Sequence, residues 1–256
     1  MTATATLLDA VTATARRAGD LILTIYHGDF AVTAKADASP VTEADERAEL
    51  MILAELAELT PDIPVVSEEA AAAGRIPEFG ARFWLVDPLD GTKEFVKRNG
   101  EFTVNIALIE NGVPVLGVVH APALGRTYAG AGPGTATLAE AGGAARAIQA
   151  RPVPEEGLTV VASRSHGDTP TLDAFLAGRK VARLTGAGSS LKFCLVAAGE
   201  ADVYPRFGRT MEWDTAAGHA VLAAAGGRVT DTAGHPLAYG KPGLDNPHFV
   251  AWGRGE

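Results

Sequence analysis

Residues 83–95 read Phe-Trp-Leu-Val-Asp-Pro-Leu-Asp-Gly-Thr-Lys-Glu-Phe and constrain the chain more than any other segment. The apolar run Phe83–Val86 has the make-up of a buried strand. It breaks at Asp87-Pro88, because proline disfavours helix at the residue before it. Asp90-Gly91-Thr92 then predicts a turn, with one or two turns of helix over Lys93–Arg98. Two carboxylates three residues apart therefore sit on a strand-to-helix turn, followed at once by a glycine and a hydroxyl. Carboxylates are hard oxygen ligands suited to magnesium, and N–H groups at a helix start donate to phosphate oxygens. Asp-Gly is also an ordinary turn pair, so the meaning of the segment depends on the rest of the chain.

Helical spacing of Leu7, Leu8, Val11, Ala15, Ala18 and Ile22 predicts an amphipathic helix over Thr4–Tyr26. A second helix starts near Thr42, where Thr42-x-x-Asp45 resembles a capping box, and ends by Pro61. Ile63–Val66 reads as a short strand running into Ser67-Glu68-Glu69. Phe102–Ile109 and Val113–His120 read as strands joined by Glu110-Asn111-Gly112, a good hairpin signal. The glycine-rich stretch Gly130–Gly134 contains Pro133 and has no helix after it, so it reads as a turn between strands. Arg151–Gly157 is the best linker candidate. It divides residues 1–150, rich in helices and hairpins, from residues 151–256, where strands (158–162, 181–184, 201–204, 249–252) alternate with helices (170–177, 189–198, 214–225).

With 256 residues the chain is long enough for a substantial core, and its abundant Gly and Ala predict close packing. No apolar stretch has the length of a membrane helix, and no secretory leader pattern is present. The single cysteine, Cys194, lies in a largely apolar patch and reads as a buried thiol. These features favour the cytoplasm, free or peripheral at the inner face of the cell membrane. The net charge of −9 argues against a nucleic-acid polymer as partner. It does not exclude a small anionic substrate, because clustered carboxylates that hold metal ions reverse the local sign.

Four regions place acids at element ends: Asp45, Glu68 with Glu69, Asp87 with Asp90, and Asp214. Each has a local explanation as a cap or surface ion pair. If they converge, that explanation fails. Two unit charges about 4 Å apart repel by roughly 4 kcal/mol at an effective dielectric of about 20. Such a cluster needs cations, and oxygen-only ligation favours Mg²⁺, Mn²⁺ or Ca²⁺ over zinc. The six histidines are scattered, and His219 reads as packing or surface.

Val41-Thr42-x-Ala44-Asp45, Ser67-Glu68-Glu69, Trp84–Thr92 and Trp213–Gly218 together resemble the magnesium-dependent, lithium-sensitive phosphatases. That superfamily includes inositol monophosphatases, fructose-1,6-bisphosphatases and 3′(2′),5′-bisphosphate nucleotidases. The match covers nearly the whole chain in the right order. Residues 90–108, Ser163–His166, Gly188–Cys194 and Tyr204–Gly208 are most similar to the bacterial CysQ-type bisphosphate nucleotidases.

The resemblance implies an α/β fold, a layered α/β/α/β/α sandwich with the site between two lobes. It implies that Glu68, Asp87, the carbonyl of Leu89, Asp90 and Asp214 ligate two Mg²⁺ ions, with a third near Asp45. Gly91 and Thr92 would hold the scissile phosphate. Thr92 with Asp45, or Thr92 with Glu68, would activate water, and the base stays open between them. His166, Ser189, Lys192 and Arg206 would contact the nucleotide or its second phosphate. The implied reaction is hydrolysis of adenosine 3′,5′-bisphosphate, or its sulfated analogue, at the 3′-phosphate, in sulfur assimilation and nucleotide recycling. The alternatives are an inositol or fructose-1,6-bisphosphate phosphatase and, in another class, a non-catalytic nucleotide or metal sensor. Monomer and homodimer both stay open.

Overall fold

The computed structural model describes residues 3–34, 40–141, 143–163 and 169–255. Helix α1 (Ala3–Tyr26) precedes a short antiparallel pair, β1 (Val32–Ala34) and β2 (Pro40–Thr42), and helix α2 (Glu43–Leu59). Next come β3 (Val65–Ser67), α3 (Glu68–Ala72), β4 (Arg82–Asp90) and α4 (Thr92–Val96). An antiparallel run follows: β5 (Thr103–Glu110), β6 (Val113–Ala121), β7 (Arg126–Gly130), β8 (Thr137–Glu140) and β9 (Arg146–Ala147). The remainder is β10 (Leu158–Ser163), α5 (Thr169–Leu176), β11 (Val181–Ala187), α6 (Leu191–Ala197), β12 (Val203–Arg206), α7 (Glu212–Ala224), β13 (Arg228–Asp231) and β14 (Phe249–Trp252).

Among the described residues, β3 to β9 form a seven-stranded sheet in sequence order, antiparallel except for the β3–β4 pair. A second, five-stranded sheet has the order β11-β10-β12-β14-β13. Side chains alternate across the first sheet with the strand period of two. Trp84, Val86, Ile106, Leu108 and Val118 pack with Val11, Ile22, Ile52 and Leu56 of α1 and α2. Phe83, Leu85, Ala107, Ile109 and Val119 pack with Phe193 of α6 and with Ala217 and Val221 of α7. The same core takes in Val161, Tyr204, Phe249 and Ala251 from one face of the second sheet. Its other face (Val160, Val203, Val250, Trp252) carries Phe175 and Leu176 of α5. The layers are therefore α1/α2, sheet, α6/α7, sheet, α5, the expected five-layer sandwich. Because both faces of the first sheet are covered, its strands read as continuous apolar runs.

Local chemistry matches the sequence reading in most places. Thr42 caps α2: Ala44 N–H donates to Thr42 Oγ1 (3.2 Å), and Thr42 N–H donates to Asp45 Oδ2 (2.8 Å). Asn111 and Gly112 both have positive φ (51° and 78°), as a tight β5–β6 turn requires. One expectation is corrected. Strand β4 does not stop at Asp87-Pro88 but continues to Asp90, with a bulge between Asp87 (opposite Asn105) and Asp90 (opposite Thr103). A proline has no N–H to give the ladder, and a bulge is where a sheet accommodates one. Helices α6 and α7 also start elsewhere than expected, at Leu191 and Glu212. The pair β1–β2 and strand β13 were not anticipated.

Glycine sets how closely α7 approaches the sheet. A Cβ at Gly117 would lie 2.5 Å from the Ala217 carbonyl oxygen and 2.7 Å from Ala220 Cβ. Substituting Gly117→Ala should therefore lift α7 and cost about 1–3 kcal/mol, the usual range for overpacking. Urea denaturation measures this, and an unchanged midpoint would contradict the close contact.

Candidate active site

The carboxylates singled out in the sequence converge. One carboxylate oxygen each from Glu68, Asp87 and Asp214 lies within 4.8 Å of the others. They come from the start of α3, the middle of β4 and the first turn of α7. Each is fixed by its own element. Glu49 of α2 accepts the N–H groups of Glu69 (3.0 Å) and Ala70 (3.2 Å), anchoring the start of α3. Asp87 Oδ1 accepts Leu89 N–H across the bulge (3.0 Å). Asp214 Oδ2 accepts Met211 N–H (2.8 Å), a capping-box bond that orients the carboxylate at the helix N-terminus. Asp90 sits beside them and takes its bonds from α6: Ser190 N–H (2.7 Å) and Ser190 Oγ (3.0 Å) reach its Oδ2.

Crowding is visible in the acidities. Burial, then the charges of Glu68, Asp90 and Asp214, push the Asp87 carboxyl well above the usual carboxylate range. Burial, then Asp90 and Glu68, do the same to Asp214. Burial also raises Asp90, opposed by the Lys192 ammonium and by Ser190. The donors are all oxygen, Asp87 buried and Glu68, Asp90 and Asp214 half-buried, and held against mutual repulsion. That arrangement fits hard divalent cations.

A second group flanks the acids. Asp45, buried and tied to Thr42, holds its other oxygen 3.2 Å from Thr92 Oγ1. Gly91 precedes α4 with φ +94°, and a Cβ there would collide with Ser189 Oγ. Phe95 locks the short helix in place, with its ring 5.1 Å from those of Tyr26 and Phe102. The first N–H groups of α4, like those of any helix start, have no intrahelical acceptor.

The four acids, Gly91 and Thr92 line one cavity of ≈ 310 Å³, together with Lys192, Tyr204, Arg206 and Arg209 from the C-terminal part of the chain. The Lys192 ammonium donates to Ser189 O (2.6 Å) and Ala187 O (3.3 Å) and lies 5.2 Å from the Tyr204 ring centre. Burial lowers it to about 8, against the pull of Asp90. Arg206 donates to the Arg209 carbonyl (3.1 Å). Ser189 lines the cavity, but its hydroxyl is engaged with the carbonyls of Asp90 (2.9 Å) and Glu101 (2.6 Å). His166 lies outside the described residues.

Sequence reasoning missed Ser190 and Asn105. Asn105 is the lone amide in an otherwise apolar stretch of β5, and that was the available signal. Its Nδ2–H donates to Ser190 Oγ (2.8 Å). His219 is buried against Tyr239 (Nδ1 to Oη 3.0 Å) and is lowered to about 4 by burial, so it is a packing residue. Cys194 is buried and its thiol is pushed up by burial, which removes it as a nucleophile.

An acid whose pKa is raised by folding binds more protons folded than unfolded. Its stability contribution is present below the ordinary carboxylate range and is lost as pH climbs through the raised value. The metal-free protein should therefore lose Tm as pH rises from about 4 toward neutrality, and Asp87→Asn should flatten that loss while abolishing turnover. Calorimetry in EDTA reads the first and phosphate release the second. A metal-free Tm that climbs across the same window would contradict the repulsion.

A model of the inositol monophosphatase family matches residues 4–252. The chain is 53% identical over 235 residues to the 3′(2′),5′-bisphosphate nucleotidase CysQ of Escherichia coli, covering 91% of this chain and 94% of that one. It is similar to the crystal structure of CysQ from Bacteroides thetaiotaomicron (TM-score 0.81, 40% identity, 98% of both chains). An inositol monophosphatase from Zymomonas mobilis has a TM-score of 0.78 at 25% identity, over 98% of this chain and 94% of that one.

Proposed function

The chain belongs to the inositol monophosphatase family, and we propose that it acts as a Mg²⁺-dependent 3′(2′),5′-bisphosphate nucleotidase. It hydrolyses the 3′-phosphate of adenosine 3′,5′-bisphosphate to give AMP and phosphate. The observation that carries this reading is the pairing, in one cavity, of a crowded carboxylate cluster with the cations Lys192 and Arg206. A phosphomonoester needs only the metal end. Lys192 and Arg206 supply positive charge for a second phosphate that the metals do not need. Arginine can hold phosphate bidentately, and lysine binds it as a point charge.

Glu68, Asp87, Asp90, Asp214 and the Leu89 carbonyl would hold the ions. When bound, Mg²⁺ supplies positive charge that neutralises phosphoryl oxygens and acidifies water. Backbone N–H groups at Gly91 and Thr92 would receive the scissile phosphate at the start of α4. The Thr92 hydroxyl donates to Asp45, which leaves its oxygen lone pairs to accept a hydrogen bond from the attacking water. Asp45 is then positioned to take the proton that passes through Thr92 Oγ1. The 3.2 Å contact favours Asp45 over Glu68 as Thr92's partner, since Glu68 belongs to the crowded cluster. No covalent phosphoenzyme is invoked.

No helix among the described residues is long and apolar enough to cross a membrane. We place the enzyme in the cytoplasm, acting on a diffusible nucleotide.

Phosphate release from adenosine 3′,5′-bisphosphate, inositol 1-phosphate and fructose 1,6-bisphosphate, with and without EDTA, tests the reading. The nucleotide should have the highest kcat/KM, and EDTA should remove turnover. An order-of-magnitude preference for inositol 1-phosphate would overturn the substrate assignment, and no turnover in saturating Mg²⁺ would favour a sensor. Lys192→Ala should raise KM for the bisphosphate at least about tenfold, the loss of one charged hydrogen bond, and affect a monophosphate less. Equal effects on both would remove Lys192 from the second-phosphate site.

A further inference from the structure

The turn Gly188–Ser190, between β11 and α6, is built around Asp90. Ser189 adopts φ +50°, a left-handed conformation that costs energy for a residue with a side chain. That backbone places its hydroxyl against the Asp90 carbonyl. Ser190 follows as the residue before α6, already with helical backbone angles (φ −66°, ψ −8°). Here the hydroxyl makes no capping bond. It is buried and turned the other way, 3.0 Å from Asp90 Oδ2 and 2.9 Å from the Asp214 carbonyl oxygen. Asn105 Nδ2–H donates to it at 2.8 Å, which occupies one of its acceptor positions and points its own proton toward those two oxygens. The Ser190 N–H holds the same Asp90 oxygen at 2.7 Å.

The turn thus puts one hydroxyl between two carboxylate-bearing residues from different layers, the first sheet and the α6/α7 helices. Asp90 ends β4 and Asp214 begins α7, and no hydrogen bond in this network joins the two directly. We infer that Ser190, held by Asn105, is a positioning residue that locks Asp90 to the Asp214 end of α7 and thereby sets the affinity of the site for divalent metal. The inference rests on the metal-binding reading of the carboxylate cluster. It explains why a lone amide stands in β5: Asn105 orients the hydroxyl, and the hydroxyl orients the ligands. Groups one layer behind a metal ligand commonly contribute about 10- to 100-fold to metal affinity.

The test is Mg²⁺ binding by calorimetric titration of the full chain without substrate, beside the Tm of the metal-free protein. Ser190→Ala should weaken Mg²⁺ binding by about tenfold or more and leave the metal-free Tm within a few degrees. Ser190→Cys, which keeps the shape with a weaker donor, should fall between Ser190→Ala and wild type, and it serves as the reading if the alanine variant does not fold. Asn105 Nδ2 also lies 3.5 Å from Asp90 Oδ2, a longer contact than its 2.8 Å bond to Ser190, so Asn105→Leu combined with Ser190→Ala should weaken Mg²⁺ binding by much less than the product of the two single effects. A purely structural serine would lower the metal-free Tm and leave Mg²⁺ affinity at the wild-type value, and that result overturns the inference. Failure of the wild-type protein to bind Mg²⁺ would instead overturn the metal-site reading.

Discussion

Repulsion among crowded carboxylates is the constraint around which this molecule is organised. Glu68, Asp87 and Asp214 approach within 4.8 Å of one another, and Asp90 adds a fourth carboxylate beside them. Left to themselves, such groups would separate or take up protons. What holds them is a set of backbone bonds, each from a different element: the bulge N–H of Leu89 on Asp87, the Met211 N–H on Asp214, the Ser190 N–H on Asp90. None of these donors is a cation. Lys192 offsets the charge of Asp90, and the remaining repulsion gives such a site its affinity for hard divalent cations.

Such a site needs a scaffold that cannot yield. The seven-stranded sheet is covered on both faces, so β4 cannot shift without opening two cores. Helix α7 lies so close to β6 that Gly117 has no room for a side chain, and its first turn brings Asp214 to the sheet's bulged strand. The α6 turn ties Asp90 to the same place from the second sheet. Carboxylates from α3, β4 and α7 are thus held together by close packing and short hydrogen bonds.

The net charge of −9 fits an anionic substrate once the distribution of charge is considered. The acids sit where metal would reverse their sign, and the cations Lys192 and Arg206 line the same cavity. Lys192 is buried and lowered to about 8 yet keeps its proton near neutrality, helped by the nearby charge of Asp90.

Much of this was legible in the residue order, because it depends on neighbours in the chain. Thr42-x-x-Asp45 specified a cap, Asn111-Gly112 a hairpin turn, the spacing from Leu7 to Ile22 a helix face, and the four acidic motifs a known family pattern. The β4 bulge was not legible, since Pro88 marks a break equally well as a turn and only pairing with β5 distinguishes them. Nor were Ser190 and Asn105, whose roles exist only where β5, α6 and α7 meet. The sequence by itself determined which groups could bind metal and phosphate, because ligand chemistry belongs to side-chain type. Only the tertiary structure decided that Thr92 pairs with Asp45 and that one serine hydroxyl joins Asp90 to Asp214, because hydrogen bonds depend on distances that separation along the chain does not encode.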